Sequence, residues 1–272
     1  MDIFQINEET CNKCGVCAAV CSAGLIDLQD DYFPTPIPTA NEACNKCGAC
    51  VIACPTGSFT HREIPLGQCP SIDSALKISF EQCAQLLKSR RSIRAYKDIP
   101  VLREDINRLI DAARYAPTGG NAQNVKWLVL DDKDKIQRLR EIGVDFMIGA
   151  LRNVPNYAPL VDLFTKQKEA GVDIFLHGAP AIVTTYAEEN VPISSINCTI
   201  ALAYFDLAAN CIGLGCCWLG FFTNAANNFP PIKEIVSLPA GNQVYGSMIV
   251  GYPEYNYHRI PLRNPADITW RS

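Results

Sequence analysis

The sequence predicts an α+β protein in two parts, a small cysteine-rich module followed by a larger α+β domain. Three observations favour this class. Eight of the 14 cysteines lie between positions 11 and 54, helical periodicity begins near position 79, and runs of β-forming residues interrupt the helical patterns from there on. With 272 residues, 48% of them hydrophobic, the chain is long enough for a sizeable core in addition to a small module.

The eight cysteines form two quartets with one spacing, C-x-x-C-x-x-C-x-x-x-C. The first is Cys11, Cys14, Cys17 and Cys21, and the second is Cys44, Cys47, Cys50 and Cys54. This spacing is typical of proteins with two 4Fe–4S clusters, in which the fourth cysteine of each run binds the other cluster. The rule assigns Cys11, Cys14, Cys17 and Cys54 to one cluster, and Cys44, Cys47, Cys50 and Cys21 to the other. Pro55 follows the second run as the pattern requires, whereas Ser22 replaces the proline after the first.

Zinc and a disulfide framework are the alternatives for these cysteines. Structural zinc usually pairs two separated clips of two ligands, and three cysteines within seven residues, repeated, fit a cubane better. The start MDIFQINEET has no secretory signal pattern, so we expect a cytoplasmic protein with reduced thiols.

Charge and hydropathy exclude some partners. Net charge is −4 and the basic residues are scattered, so we expect no nucleic acid partner. The longest apolar stretch, 196–222, is broken by Asp206 and Asn210. We interpret it as a buried helix followed by a turn, and we expect no membrane span.

The domain boundary is placed where cysteine spacing ends and helical periodicity begins. We predict a two-cluster domain over 1–62, a linker over 63–78 and a second domain over 79–272. The linker contains Pro65, Gly67 and Pro70. A helix over 80–88 is predicted by the capping box Ser79 to Gln82 and by an apolar face that includes Phe80 and Leu87.

The second domain shows an α+β pattern with helices around a modest sheet. Helices are predicted over 103–114, 133–142, 161–169 and 194–211, and strands over 127–130, 181–186 and 243–251.

Four segments of this domain contain residues suited to binding a ligand. R-R-S-I-R at 90–94 offers guanidiniums and a hydroxyl suited to a phosphate monoester, although a solvated helix terminus is the alternative. A-P-T-G-G-N-A-Q at 116–123 combines glycines with polar donors. G-L-G-C-C-W-L-G at 213–220 follows a helix rather than a strand, which argues against a dinucleotide fingerprint. M-I-V-G-Y-P at 248–253 is a predicted buried strand and turn that precedes Arg259.

In this order, the four segments resemble the FMN-dependent nitroreductase family over about residues 80 to 272. The cysteine region resembles a 2×4Fe-4S ferredoxin over about residues 5 to 60. The whole chain is similar to ferredoxin-fused nitroreductase-type proteins. The resemblance implies a small ferredoxin-like iron–sulfur domain followed by a nitroreductase-type α+β domain, with FMN as a further cofactor.

The resemblance also implies roles for individual residues. Phosphate-side residues would be Arg90, Ser92, Arg94 and Arg259, with Arg91 along the cofactor. A loop that reaches FMN across a homodimer interface would include Pro117, Thr118, Gly119 and Asn121. The segment beside the reactive edge of the ring would be Trp218, Leu219 and Gly220. Tyr257 departs from the family where some members have lysine near the phosphate, and Arg263 is a candidate to replace it.

These expectations define an oxidoreductase that passes electrons from two 4Fe–4S clusters to FMN and on to a nitroaromatic, quinone or enone. Clusters carry single electrons and FMN exchanges one or two, so FMN converts between the two modes. No catalytic acid–base residue is assigned, and His177 is expected to pack at a strand start. The donor is expected to be NAD(P)H or a reduced ferredoxin. The alternative function is a redox carrier that relays electrons to a partner protein.

Overall fold

The computed structural model describes residues 2–29, 32–152 and 154–271. The chain divides into two compact units. The first comprises Met1–Lys77 together with Gly120–Ala122, and the second comprises Ile78–Gly119 together with Gln123–Ser272.

The first unit is built from short elements around the cysteine runs. Its strands are β1 (Phe4–Ile6), β2 (Ile26–Asp27), β3 (Thr35–Pro36) and β4 (Phe59–His61). Its helices are α1 (Val16–Ala19), α2 (Ala40–Ala43) and α3 (Ala49–Ile52). Strand β1 pairs antiparallel with β4, and β2 pairs antiparallel with β3. The rings of Phe4 and Phe59 lie 4.5 Å apart between centroids and anchor a small core.

The two cysteine runs adopt the same backbone. Helix α1 follows Gly15 (φ +75°) and α3 follows Gly48 (φ +77°). Lys13 and Lys46 also have a positive φ, 56° and 55°. The left-handed region is readily open to glycine, which explains the glycine after the second cysteine of each run.

The second unit has six long or medium helices, one short helix and four strands among its described residues. The helices are α4 (Phe80–Ser89), α5 (Arg103–Ala113), α6 (Lys133–Arg152), α7 (Ala158–Glu169), α8 (Ser194–Cys211), α9 (Gly220–Asn228) and α10 (Pro230–Val236). The strands are β5 (Lys126–Leu130), β6 (Ala181–Glu188), β7 (Gly215–Trp218) and β8 (Asn242–Gly251).

The four strands form one antiparallel sheet in the order β5-β6-β8-β7. Side chains alternate between its faces, as the pleat requires. Ile182 and Ile249 pack with residues of α6, α9 and α10, whereas Val183 and Met248 pack with α5 and α8. Both faces of the sheet are therefore buried between two layers of helices. Strands β7 and β8, which contain parts of the segments 213–220 and 248–253, lie between these layers.

Most predicted elements are confirmed. Helix α8 has the predicted bounds, and the predicted strands correspond to β5, β6 and β8. The capping box is also present, because Gln82 donates its backbone N–H to Ser79 Oγ at 3.2 Å and Ser79 donates its own to Gln82 Oε1 at 2.8 Å.

The predicted end of the third helix at position 142 is wrong, because α6 continues to Arg152. Gly143 lies within it instead of ending it. A Cβ at this position would lie 2.1 Å from ring atoms of Phe175. The glycine therefore permits close packing of a buried ring against the helix, which continues through this position.

Two further interpretations are corrected. The apolar face predicted for α4 is only partly covered, because Phe80 is 80% and Leu87 55% exposed, whereas Cys83 and Ala84 are half-buried. The turn expected within 196–222 contains strand β7 and leads into α9. Strand β7 has only four residues, two of them cysteines, which is too short for the period-2 pattern to be recognised.

Within the described part of the chain, none of the helices combines the length and hydrophobicity that a membrane-spanning helix requires.

Candidate functional site

The first candidate site is a small pocket among the cysteine loops. Its lining includes four thiols, from Cys11, Cys14, Cys17 and Cys54. Burial raises the pKa of Cys17, and the neighbouring Cys54 and Cys11 raise it further. The structure thus brings together three cysteines of the first run and the fourth of the second, the set that the crossed rule assigns to one cluster.

The second set of thiols lies around Cys50. Burial raises the pKa of Cys50 to about 11, with further contributions from Cys47 and Cys21. Cys21 is the fourth cysteine of the other run, and its effect on Cys50 is consistent with the set that the crossed rule assigns to the second cluster. Cys44 Sγ lies 3.7 Å from His61 Nε2 and accepts the backbone N–H of Lys46 at 3.4 Å.

The chemistry of these thiols fits iron–sulfur clusters. All eight cysteines are free, so none is used in a disulfide. Burial favours the neutral thiols of Cys17 and Cys50, whereas hydrogen bonds from Thr56, Phe59 and Ser58 lower the pKa of Cys54 against its burial. Bound iron would supply the positive charge that makes thiolates stable. No three His, Cys, Asp or Glu side chains in the described ranges converge closely enough to hold a single metal ion. A 4Fe–4S cube occupies a larger space between its four ligands than one ion does.

A second candidate site is a cavity of about 800 Å³ in the second unit. The segment around Arg94 and Tyr96, the end of β7, the start of α9 and the loop before β6 form its walls. Its volume is in the range of cofactor and ligand pockets. The lining includes apolar side chains from Met147, Leu163, Phe164, Val172, Ile174, Phe175, Leu219 and Phe221.

Four of the predicted cofactor residues line this cavity, namely Arg94, Trp218, Leu219 and Gly220. A Cβ on Gly220 would have no neighbour within 4 Å, so the backbone at the start of α9 is open to a ligand. The structure therefore brings together segments that lie far apart in the sequence.

The R-R-S-I-R segment reaches the cavity because it lies against β7. Ile93 donates its backbone N–H to the Cys216 carbonyl at 3.0 Å. A Cβ on Gly215 would lie 2.4 Å from Ile93 Cγ1, so the close approach requires glycine at that position. Tyr96 donates its hydroxyl to the Ile93 carbonyl at 2.8 Å, and burial raises the pKa of Tyr96.

Arg90 points instead to helix α8. Its Nη1 lies 3.2 Å from Asp206 Oδ2, although the N–H is not aligned for a hydrogen bond. Burial raises the pKa of Asp206, and the guanidinium of Arg90 opposes that shift. The misaligned, buried Nη1 retains a donor for which the described residues provide no acceptor.

The remaining predicted cofactor residues do not line the cavity in this chain: Arg90, Arg91, Ser92, Pro117, Thr118, Gly119, Asn121 and Arg259. Gly119 donates its backbone N–H to Asn197 Oδ1 at 3.1 Å, which ties this loop to α8. Thr118 Oγ1 accepts the N–H of Gln123 at 3.0 Å within the same loop. Asn121 belongs to the first unit. Arg259 is exposed in the C-terminal segment.

Sequence reasoning missed most of the cavity wall. His177 lines it in a left-handed conformation (φ 53°), and burial lowers the pKa of its imidazole. Asp173 holds this loop by accepting the backbone N–H groups of Phe175, Leu176 and Gly178. The only sequence signal was an aspartate before a glycine-containing turn, which is common in loops without function.

The two adjacent cysteines of β7 have different surroundings. Cys217 lines the cavity, whereas Cys216 packs into the core on the α5 and α8 side. Alternation along the strand explains the difference.

Comparison with known proteins agrees with this geometry. The family model described as "Nitroreductase family" matches residues 87–252, well over half of the chain, and that described as "4Fe-4S dicluster domain" matches residues 10–59. The chain belongs to the nitroreductase family. The predicted architecture, a 4Fe–4S domain followed by a nitroreductase-type α+β oxidoreductase domain, is confirmed.

Individual relatives of this nitroreductase-family protein are distant. An FMN reductase [NAD(P)H] from Bacillus subtilis is 28% identical over 169 residues, 61% of this chain and 64% of that protein. An iodotyrosine deiodinase from Thermotoga neapolitana is 25% identical over 172 residues, 62% of this chain and 87% of that protein. A nitroreductase with bound FMN from Bacteroides fragilis has a TM-score of 0.57 at 21% identity, over 70% of this chain and 98% of that one. The last comparison supports the fold.

Proposed function

We propose that the protein is an iron–sulfur flavoenzyme that passes electrons from two 4Fe–4S clusters to FMN and on to an electron-poor organic acceptor. A nitroaromatic, a quinone or an enone has the required chemistry. The observation that carries the proposal is the cavity of the nitroreductase domain, where Arg94 and the segment Trp218 to Gly220 line one space. The proposed domains are residues 1–62 and 79–272, joined by a linker over 63–78.

The residues that would hold the clusters are the two crossed sets of four cysteines. FMN, when bound, supplies exchange of either one or two electrons. Arg94 would pair with an anionic part of FMN, since a guanidinium forms charge-assisted hydrogen bonds with phosphate. The neighbouring Arg90 is not needed for this role, because its buried Nη1 is already paired with Asp206.

The other cavity residues would position the ring and exclude water. Leu219 is buried, and the backbone of Gly220 presents no side chain to a flat ligand. Trp218 is 40% exposed and is therefore available to a second ligand. Apolar walls lower the local dielectric and strengthen the contact between Arg94 and an anion.

The electron count fits two clusters. Reduction of a quinone to a hydroquinone takes two electrons and two protons, and one electron from each cluster supplies the pair. The reductant would be a reduced ferredoxin or NAD(P)H. Water supplies the two protons.

We also propose a homodimer in which the loop of Pro117, Thr118, Gly119 and Asn121 completes the FMN site of the partner subunit. These residues and Arg259 lie outside the cavity of their own chain, as that arrangement would require. Exposed apolar side chains on α4 and α8, among them Phe80, Leu87 and Ile196, support an interface between copies. Sedimentation of the FMN-loaded protein tests this, and a monomer that binds FMN tightly would contradict it.

The test of the function uses anaerobically purified full-length protein. Iron, sulfide and flavin are measured first, and zinc without sulfide would overturn the proposal. The protein is then reduced with dithionite, freed of excess reductant and mixed with a quinone or a nitroaromatic. We expect reoxidation of both the iron–sulfur and flavin absorption bands, and turnover that saturates with acceptor concentration when reductant is supplied. Loaded protein without saturable turnover would instead favour the redox carrier.

A further inference from the structure

The two cysteine runs belong to a repeat that extends beyond the cysteines. The segments 11–28 and 44–61 align without gaps, and C-N-K-C-G begins both. The repeat pairs Gly15 with Gly48, which share a left-handed conformation. At the end of the repeat, His61 of the second segment corresponds to Leu28 of the first. The two halves therefore differ in hydrogen-bonding capacity at this position, which ends β4 in the second half and follows β2 in the first.

His61 is fixed in place by its surroundings. It is 3% exposed and lies at the end of β4, where it pairs with Phe4 of β1. Its Nδ1 accepts the backbone N–H of Glu63 at 3.1 Å, and its Nε2 lies 3.7 Å from Cys44 Sγ. Because Nδ1 accepts a hydrogen bond, the ring is neutral and its proton is on Nε2. The Nε2–H group therefore donates to the sulfur of Cys44.

The side chain of Leu28 has no group that donates a hydrogen bond. Its Cδ2 lies 3.1 Å from the position of a Cβ on Gly15, so the leucine packs over the first cysteine loop. At corresponding positions of the repeat, one half thus has a side-chain N–H donor and the other a hydrocarbon.

A second side-chain donor lies near the other cluster but has a competing acceptor. Thr56 Oγ1 is 3.6 Å from Cys54 Sγ and 2.6 Å from Ser58 Oγ. Either hydroxyl can donate in the contact between Thr56 and Ser58, so the single proton of Thr56 is available to Cys54 Sγ only where Ser58 is the donor to Thr56. His61 has no such competition, since its other nitrogen is occupied by Glu63.

We propose that His61 is a positioning residue that raises the reduction potential of the cluster bound by Cys44 relative to that of the other cluster. A reduced cluster is more negative than an oxidised one, and an N–H donor to a ligating sulfur stabilises the added charge. The two clusters would then accept electrons in a fixed order. The inference rests on the two 4Fe–4S clusters of the proposed function.

The experiment is an anaerobic redox titration of full-length, FMN-loaded protein at one fixed pH, followed by electron paramagnetic resonance. His61→Leu reproduces the Leu28 environment. In this variant we expect the equilibrium constant for reduction of the cluster bound by Cys44 to fall about tenfold. That corresponds to a reduction potential lower by about 59 mV for one electron. The potential of the other cluster should not change. His61→Gln keeps an N–H donor at the corresponding distance along the side chain and should restore at least half of the shift. His258→Leu, at an exposed histidine of the nitroreductase domain, is the matched control.

Iron and sulfide contents are measured before each titration, which separates this inference from the proposed function. If the wild-type protein lacks 4Fe–4S clusters, the proposed function fails. If both clusters are present and His61→Leu leaves both potentials unchanged, or shifts both equally, the role of His61 is refuted. Equal potentials in the Leu and Gln variants would also refute it. If His61→Leu does not load both clusters, His61→Met, which has similar length and no N–H group, decides by the same criterion.

Discussion

The two units of this protein build their candidate sites in different ways. In the first unit, the eight cysteines lie on two loops of one repeat, and each loop has the same backbone conformation. In the second unit, the cavity wall comes from segments around Arg94, Met147, Phe175, Trp218 and Tyr255, which are distant in sequence. A site whose ligands lie on one loop depends on local geometry, whereas a cavity depends on how the helices and the sheet pack. The two sites should therefore respond differently to substitution.

The strongest test of the local site uses pairs of cysteines. Cys14 and Cys54 are assigned to the same cluster, so Cys14→Ser combined with Cys54→Ser should remove one cluster only. Cys14→Ser combined with Cys21→Ser should affect both. We expect iron content to fall from about eight atoms per chain to about four in the first variant and close to none in the second. Iron and sulfide analysis of anaerobically purified protein measures this.

Cys211→Ser is the control for these variants, because Cys211 is exposed and lies outside both runs. It should leave iron and sulfide contents unchanged. The reverse result, about four iron atoms in the variant that combines Cys14→Ser with Cys21→Ser and close to none in the one that combines Cys14→Ser with Cys54→Ser, would show that the ligands are not crossed between the runs.

The next largest effect is expected at the cavity. Arg94→Ala removes the arginine of the cavity wall, and hydrogen bonds to charged groups contribute about 1.5–3 kcal/mol. FMN affinity should therefore fall about 10-fold to 100-fold, measured by quenching of flavin fluorescence in the apoprotein. Arg108→Ala, at an exposed arginine paired with Asp105 on α5, should leave the affinity unchanged. If both variants bind FMN like the wild-type protein, the cofactor does not use this wall.

The sequence predicts the cysteine ligands of the first unit far better than it predicts the cavity of the second, for a physical reason. Thiol ligands of one cluster need a fixed spacing along the chain. Gly15 and Gly48 mark in the sequence the left-handed turns that bring these thiols together. The cavity residues Phe175 and His177 carry no such spacing, because their neighbours come from α6 and the loop that Asp173 holds. Only the residues within family motifs, such as Arg94, were predicted for the cavity.

The errors in the fold have related causes. Gly143 resembles a helix end in sequence, yet its role is to make room for Phe175. The apolar face of α4 resembles a buried face, but neither Phe80 nor Leu87 is covered within the chain. The ring that explains Gly143 is distant in sequence, which periodicity does not encode.

Gly143 and Gly149 provide a matched pair for testing the dependence of the cavity on packing, since both lie in α6. A Cβ at Gly143 would meet the Phe175 ring, whereas a Cβ at Gly149 would meet nothing within 4 Å. Gly143→Ala should lower the free energy of unfolding by about 1–3 kcal/mol, the usual cost of overpacking. Gly149→Ala should raise it by about 1 kcal/mol, the difference in helix propensity. Urea unfolding measures both values.

Phe175 lines the cavity, so Gly143→Ala should also weaken FMN binding, and Gly149→Ala should not. A Gly143→Ala protein that is destabilised but binds FMN normally would show that the cavity wall adjusts independently of the helix.

The smallest effect is expected for an exposed contact between two residues that lie far apart in the sequence. Arg103 Nε donates to Asp131 Oδ2 at 2.6 Å, 28 positions along the chain, and Arg103 is 82% exposed. The hydrogen bond from Arg103 lowers the pKa of Asp131. A carboxyl with a lowered pKa in the folded state stabilises that state at pH values above its unfolded pKa of about 3.9, and the contribution is lost as pH falls through the folded pKa.

Exposed ion pairs contribute little and are screened by salt. Arg103→Ala should therefore cause a shift in the urea midpoint at pH 7 that is smaller than that of Gly143→Ala, and the shift should shrink in high salt and near pH 3. A shift at pH 7 as large as that of Gly143→Ala would mean that sequence separation, rather than burial, determines how much a contact in the nitroreductase domain contributes.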